Sequence, residues 1–177
     1  MASSLSDPAA QDAALNEVKA LLLREPRWTV AAAESLSCGR VQALLGAISG
    51  ASGYLLGGVT AYTIEQKVRL LAVDREQAVA VKAVSAGVAE AMALGVCRLF
   101  GSTLGVATTG FAEADRAAGV SAPMAYWAIC DLATPGAPLL RSGRMEFPPG
   151  LARRVVQSAV AERVLEQVLD HLRKRRG

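Results

Sequence analysis

Two groups of residues in this chain have the types and spacing to do chemistry. The first is Ala33-Glu34-Ser35-Leu36-Ser37-Cys38-Gly39-Arg40, which directly follows the apolar run Trp28 to Ala32. The second is Tyr62 with Lys67, after the next strand-like run. A buried strand that stops at a carboxylate, two hydroxyls and a glycine, with a helix beginning after them, is where an open α/β protein places its site. A serine hydroxyl is a poor nucleophile until a base takes its proton as it attacks. The one histidine, His171, stands in a basic stretch near the C-terminus, and no serine sits in a G-x-S-x-G elbow. Neither a Ser-His-Asp triad nor an α/β-hydrolase is therefore expected. A lysine whose pKa is lowered by burial can replace histidine. Ser35 and Lys67 are thus a candidate hydrolytic pair, against the plainer reading in which Ser35 and Ser37 only cap a helix.

The neighbouring residues admit alternatives. Glu34 at the end of a buried strand must be paired or hydrogen-bonded. It holds Lys67, organises nearby backbone amides, or is a solvated loop acid. Tyr62 relays a proton, holds Lys67, or is a strand-end aromatic with its hydroxyl in water. Thr108-Thr109-Gly110 ends a third strand-like run, and such a turn can present amide donors to a phosphate or an oxyanion. The acidic stretch Ala112-Glu113-Ala114-Asp115-Arg116 after it argues against an anion resting there. Met92, Cys97 and Trp127 lie on apolar faces and read as core. Cys38, Cys97 and Cys130 are odd in number and lack metal-ligand spacing, so reduced thiols are expected, with no metal and no cofactor.

The elements that must position these groups follow from periodicity and punctuation. Residues 1–8 read as disordered, and Pro8 introduces a helix to about Arg24, with Ala14, Leu15, Val18, Leu21 and Leu22 at helical spacing. Trp28 to Ala33 reads as a buried strand, followed by a helix with interior Val41 to Ile48. Leu55 to Tyr62 reads as a second strand, in which Gly57-Gly58 marks close approach of a backbone or ligand. Thr63, with Gln66 three residues on, starts the helix that carries Lys67. Ser85 caps a helix running to about Phe100, and Thr103 to Thr109 is a third strand. Pro123 to Leu132 and Leu139 to Phe147 form neighbouring strands around the turn Thr134-Pro135-Gly136. A long helix from about Leu151 to Leu172 closes the chain. Strands alternating with helices predict a three-layer α/β/α sandwich with a mixed, mostly parallel sheet. One domain over residues 9–173 is expected, with a basic tail at 174–177.

The chain has 177 residues, enough to bury about 70% of its unfolded surface as one domain. It is 52% apolar with a mean hydropathy of +0.30. No apolar run reaches the roughly 18 to 20 residues that cross a bilayer, and the N-terminus lacks a signal-peptide pattern. A soluble, cytoplasmic protein that does not associate with membranes is expected. The net charge of +3 is mild, with Arg173-Lys174-Arg175-Arg176 its visible concentration. Those cations suit the negative pole of a helix end, so a nucleic-acid partner ranks last.

With these residues assembled, the chain resembles the CinA C-terminal domain family. The family pattern is roughly A-E-S-C-T-G-G, then G-G-x-x-x-Y-x-x-x-x-K, then V-S-x-x-x-A-x-x-M-A. Here these read Ala33 to Gly39, Gly57 to Lys67 (a full match) and Val84 to Ala93. The resemblance covers roughly residues 15 to 170 and implies hydrolysis of the amide of nicotinamide mononucleotide to nicotinic acid mononucleotide and ammonia. It implies Ser35 as nucleophile, Lys67 as general base and Tyr62 as a supporting hydroxyl. Glu34, Ser37, Gly39, Gly57, Gly58, Thr109 and Gly110 are then the expected substrate-binding residues. A homodimer acting on a pyridine nucleotide or related small amide, without a metal or cofactor, is also implied. Longer family members carry an additional N-terminal domain, which is not expected here.

Several positions depart from the pattern. The family's cysteine, threonine and first glycine are Leu36, Ser37 and Cys38. The motif T-G-x-A-G-P reads Thr109-Gly110-Phe111-Ala112-Glu113-Ala114, and P-V-G reads Pro123-Met124-Ala125. The G-D-R turn before the last helix reads Gly150-Leu151-Ala152, with Arg153 or Arg154 the nearest substitutes for its arginine. A Ser-Lys amidohydrolase is the leading expectation. A family member without that turnover, serving as a ligand-binding or structural protein or acting on a different small amide, is the alternative.

Overall fold

The computed structural model describes residue 5 and residues 7–177. The expectation of disorder over residues 1–8 therefore lies mostly outside the described residues; of the rest, Asp7 caps the first helix and Pro8 opens it. The main elements in chain order are α1 (Pro8–Leu23), β1 (Val30–Glu34), α2 (Arg40–Leu45), β2 (Leu55–Thr60), α3 (Ile64–Leu71), α4 (Arg75–Ala80), α5 (Ala86–Phe100), β3 (Leu104–Phe111), β4 (Met124–Asp131), β5 (Leu139–Glu146) and α6 (Arg153–Arg176). Sequence reading missed α4, a short helix whose start is signalled by the Asp74 side chain accepting from Gln77 N at 2.7 Å. The helix expected to reach Ile48 stops at Leu45.

The sheet order is β2-β1-β3-β4-β5. β2 and β3 both pair in parallel with β1, while β4 and β5 add antiparallel. The chain passes from β1 to β2 on one side, then crosses to β3 on the other, so the end of β1 is a topological switch point. Register places Glu34 level with Thr60 on β2 and Thr108 on β3. The residues that follow these three emerge together at one edge.

Alternation along the strands divides the core into two layers. Val30, Ala32, Leu104, Val106, Trp127 and Ile129 join the cluster beneath α1, α2 and α6. Ala31, Ala33, Ala107, Ala128 and Cys130 join the cluster beneath α3, α4 and α5. The second face is built of small residues because α5 lies almost on the sheet. A Cβ at Gly105 would stand 2.0 Å from the Ala93 carbonyl oxygen and 2.7 Å from Cys97 Sγ. Gly105→Ala is expected to destabilise the protein by about 1–3 kcal/mol through overpacking, read as a fall in the urea midpoint.

Residues 174–176 of the expected basic tail belong to α6, which continues to Arg176. Arg173 pairs with Glu17 at 2.7 Å, and Lys174 with Asp170 at 2.8 Å. Arg175 joins His171 on the buried Asp131, both at 3.0 Å, and Arg176 Nε donates to the Leu21 carbonyl at 2.7 Å. These bonds tie the last turn of α6 to α1 and to the end of β4. Among the described residues no helix is long and apolar enough to cross a membrane.

Candidate active site

Lys67 lies in the first turns of α3, whose start is set by Thr63 Oγ1 accepting from Gln66 N at 3.3 Å. Its side chain runs back beneath the segment after β2 and is only 2% exposed. There Nζ donates to Ser35 Oγ at 2.9 Å, to the Ala61 carbonyl at 2.8 Å and to the Tyr62 carbonyl at 3.1 Å. No carboxylate is among these acceptors. Burial disfavours the ammonium and pulls its pKa from the usual lysine range down to about 8. Ser35, the first residue beyond β1, is held by its amide on the Thr108 carbonyl at 3.0 Å. Ser35 and Lys67 are thus brought together by three adjacent strand ends.

Glu34 does not hold Lys67. Its buried carboxylate accepts from Ser37 Oγ at 2.6 Å, from the amides of Gly39 and Val41 at 3.0 Å each, and from the Gln42 amide at 2.9 Å. It therefore caps α2, a role that the plainer reading gave to Ser35 or Ser37; the N-cap residue is Gly39, with φ of 89° and no side chain to offer. Ser37, fully buried, also shares a 2.6 Å hydrogen bond with Thr108 Oγ1. Cys38 adopts a left-handed φ of 55°, a conformation that glycine meets without strain.

A cavity of about 640 Å³ opens over the pair and is walled by Ser35, Tyr62, Lys67, Thr109, Gly110 and Arg153, with Lys82, Glu113, Asp115 and Arg116 among its other lining residues. Of the residues expected to bind substrate, Thr109 and Gly110 reach it. Glu34, Ser37, Gly39, Gly57 and Gly58 do not line it. A Cβ on Gly58 would approach the Ala32 carbonyl to 2.8 Å, and one on Gly57 would meet Phe100 at 2.7 Å, so both glycines serve packing. Thr109 Oγ1 donates to the Ala83 carbonyl at 2.6 Å. That bond braces Lys82 and Ala83, both at positive φ, against β3. Tyr62 accepts from Lys67 through its main-chain carbonyl, and its hydroxyl is bonded to Arg153. Of Arg153 and Arg154, Arg153 lines the cavity, and it pairs with Glu113 at 2.8 Å. Nothing in the local sequence marks Lys82 and Ala83 as part of this wall. His171 sits elsewhere, 2% exposed and bonded to Asp131 at 3.0 Å.

Fold and site together describe a three-layer α/β/α protein with a buried serine–lysine contact at the switch point of its sheet. The chain belongs to the CinA C-terminal domain family, whose model matches residues 12–172. A CinA-like protein of Synechocystis is 50% identical over 91 residues, covering 51% of this chain and 22% of that protein. A CinA-like protein of Thermosynechococcus vestitus is 46% identical over 103 residues, 58% of this chain and 25% of its own length. The chain thus spans about a quarter of the length of these curated relatives. The crystal structure of a competence-damaged protein (CinA) superfamily protein from Klebsiella pneumoniae superposes with a TM-score of 0.80 at 20% identity, covering 93% of this chain and 98% of that one. At that identity the likeness shows a shared fold.

Proposed function

We propose that this chain is an amidohydrolase acting on nicotinamide mononucleotide or a related small carboxamide through Ser35 and Lys67. The observation that carries the reading is the 2.9 Å contact between Ser35 Oγ and a buried lysine with its pKa lowered to about 8. Neutral Lys67 keeps two N–H groups, which the Ala61 and Tyr62 carbonyls occupy. Its lone pair is then directed at Ser35, and the hydroxyl donates to it. As Oγ attacks the carboxamide carbon, the hydroxyl proton passes to Nζ and a tetrahedral oxyanion forms. Collapse breaks the C–N bond, and the proton on Nζ leaves with the amine as ammonia. Water, deprotonated by Lys67, then attacks the acyl-serine ester and releases the carboxylic acid, with the proton returning to Ser35. Since Thr109 spends its hydroxyl proton on Ala83, that hydroxyl does not donate to the oxyanion.

The test is ammonia release from nicotinamide mononucleotide and from nicotinamide riboside by the purified protein as a function of pH. The base works only when neutral, and its neutral fraction grows as pH rises toward about 8. kcat/KM is expected to climb about tenfold per pH unit below that value and to level off above it. Absence of ammonia from both compounds, or a flat profile between about pH 6 and pH 9, would sink the reading.

A further inference from the structure

The rim of the Ser35 cavity carries a closed set of polar contacts that the proposed reaction does not use. Arg153 Nη1 donates to Glu113 Oε1 at 2.8 Å, and its Nη2 is bonded to the Tyr62 hydroxyl. Each end of the guanidinium therefore already holds one partner before any ligand arrives. On the same wall Asp115 Oδ1 accepts from the Ala118 amide at 3.0 Å, Lys82 Nζ donates to the Ala117 carbonyl, and Arg116 stands exposed. Two carboxylates thus face two guanidinium groups and one ammonium already bound to a carbonyl. A phosphomonoester carries about two negative charges near neutral pH. To take the place of Glu113 on Arg153 it must displace that carboxylate or lie beside it, and like charges in contact repel even where both are exposed to solvent. A carboxamide without phosphate meets no such opposition, and a pyridinium ring would be drawn toward Glu113.

We infer that Glu113, by occupying Arg153, makes this cavity selective for small carboxamides and carboxamide nucleosides over their phosphorylated forms. The inference rests on the amidohydrolase reading only in placing the carboxamide at Ser35, and binding tests it separately from turnover. Calorimetric titration of the wild type and Glu113→Gln with nicotinamide riboside and with nicotinamide mononucleotide reads it directly. Glu113 is an exposed side chain, so the substitution leaves the core untouched. The wild type is expected to bind the riboside at least as tightly as the mononucleotide. Glu113→Gln is expected to shift the affinity ratio about tenfold or more toward the mononucleotide. Tighter mononucleotide binding by the wild type, an unchanged ratio in the variant, or no binding of either compound would each overturn the inference. The expected ranking without ammonia release would uphold it and overturn the reaction instead.

Discussion

Ser35→Ala is expected to lower ammonia release by at least about 10³-fold while leaving the protein folded. The size of the loss follows from the covalent route, since without Oγ there is no acyl intermediate and only background attack by water remains. The fold survives because the Ser35 side chain makes one hydrogen bond, to Lys67, and Lys67 keeps the Ala61 and Tyr62 carbonyls. The main-chain bond from Ser35 N to the Thr108 carbonyl does not depend on the side chain. Urea unfolding should therefore move by less than about 1.5 kcal/mol. Activity within about tenfold of wild type in a folded variant would mean that water attacks the carboxamide directly.

The second large effect falls on stability. Glu34→Ala is expected to cost at least about 3 kcal/mol, seen as a lower urea midpoint. The carboxylate is 1% exposed and satisfies the amides of Gly39, Val41 and Gln42 together with the Ser37 hydroxyl. Alanine leaves those donors at the start of α2 without an acceptor, and each buried orphan costs about 1–3 kcal/mol before water enters. Glu34→Gln should cost less, because one acceptor oxygen remains while the new amide N–H groups confront the other donors. Ser35 adjoins Glu34, so turnover should fall along with stability. A Glu34→Ala protein that unfolds at the wild-type midpoint would show that water or a rearranged loop replaces the cap.

The contact between Ser35 and Lys67 was legible in the chain because its signals are chemical and local. Ser35 follows an apolar strand, and Lys67 sits in a helix opened by Thr63, so each reads as lying at the same edge of an α/β sheet. The role of Glu34 was legible only as a choice. A carboxylate after Ala33 can reach forward to amides or across to an ammonium, and the path of residues 35–42 around it decides between them. Thr109 reads as an oxyanion donor until the strained Lys82-Ala83 segment is seen to claim its hydroxyl. The glycine pair at Gly57-Gly58 correctly signals close approach, but the approaching groups are Phe100, Ala32 and Gln42, not a ligand.

Alternating strands and helices, the caps at Thr63 and Ser85, and the candidate nucleophile and base were determined by the sequence alone. Periodicity and capping act over a few residues, so they can be read without a partner. Only the tertiary structure decided what each polar group bonds to. The parallel register of β1, β2 and β3 sets Ser35 against Lys67, and the return of α6 brings Arg153 onto Glu113 and Tyr62. A side chain near the site takes the partner that the assembled fold leaves within about 3 Å, and that separation depends on segments far apart in the chain.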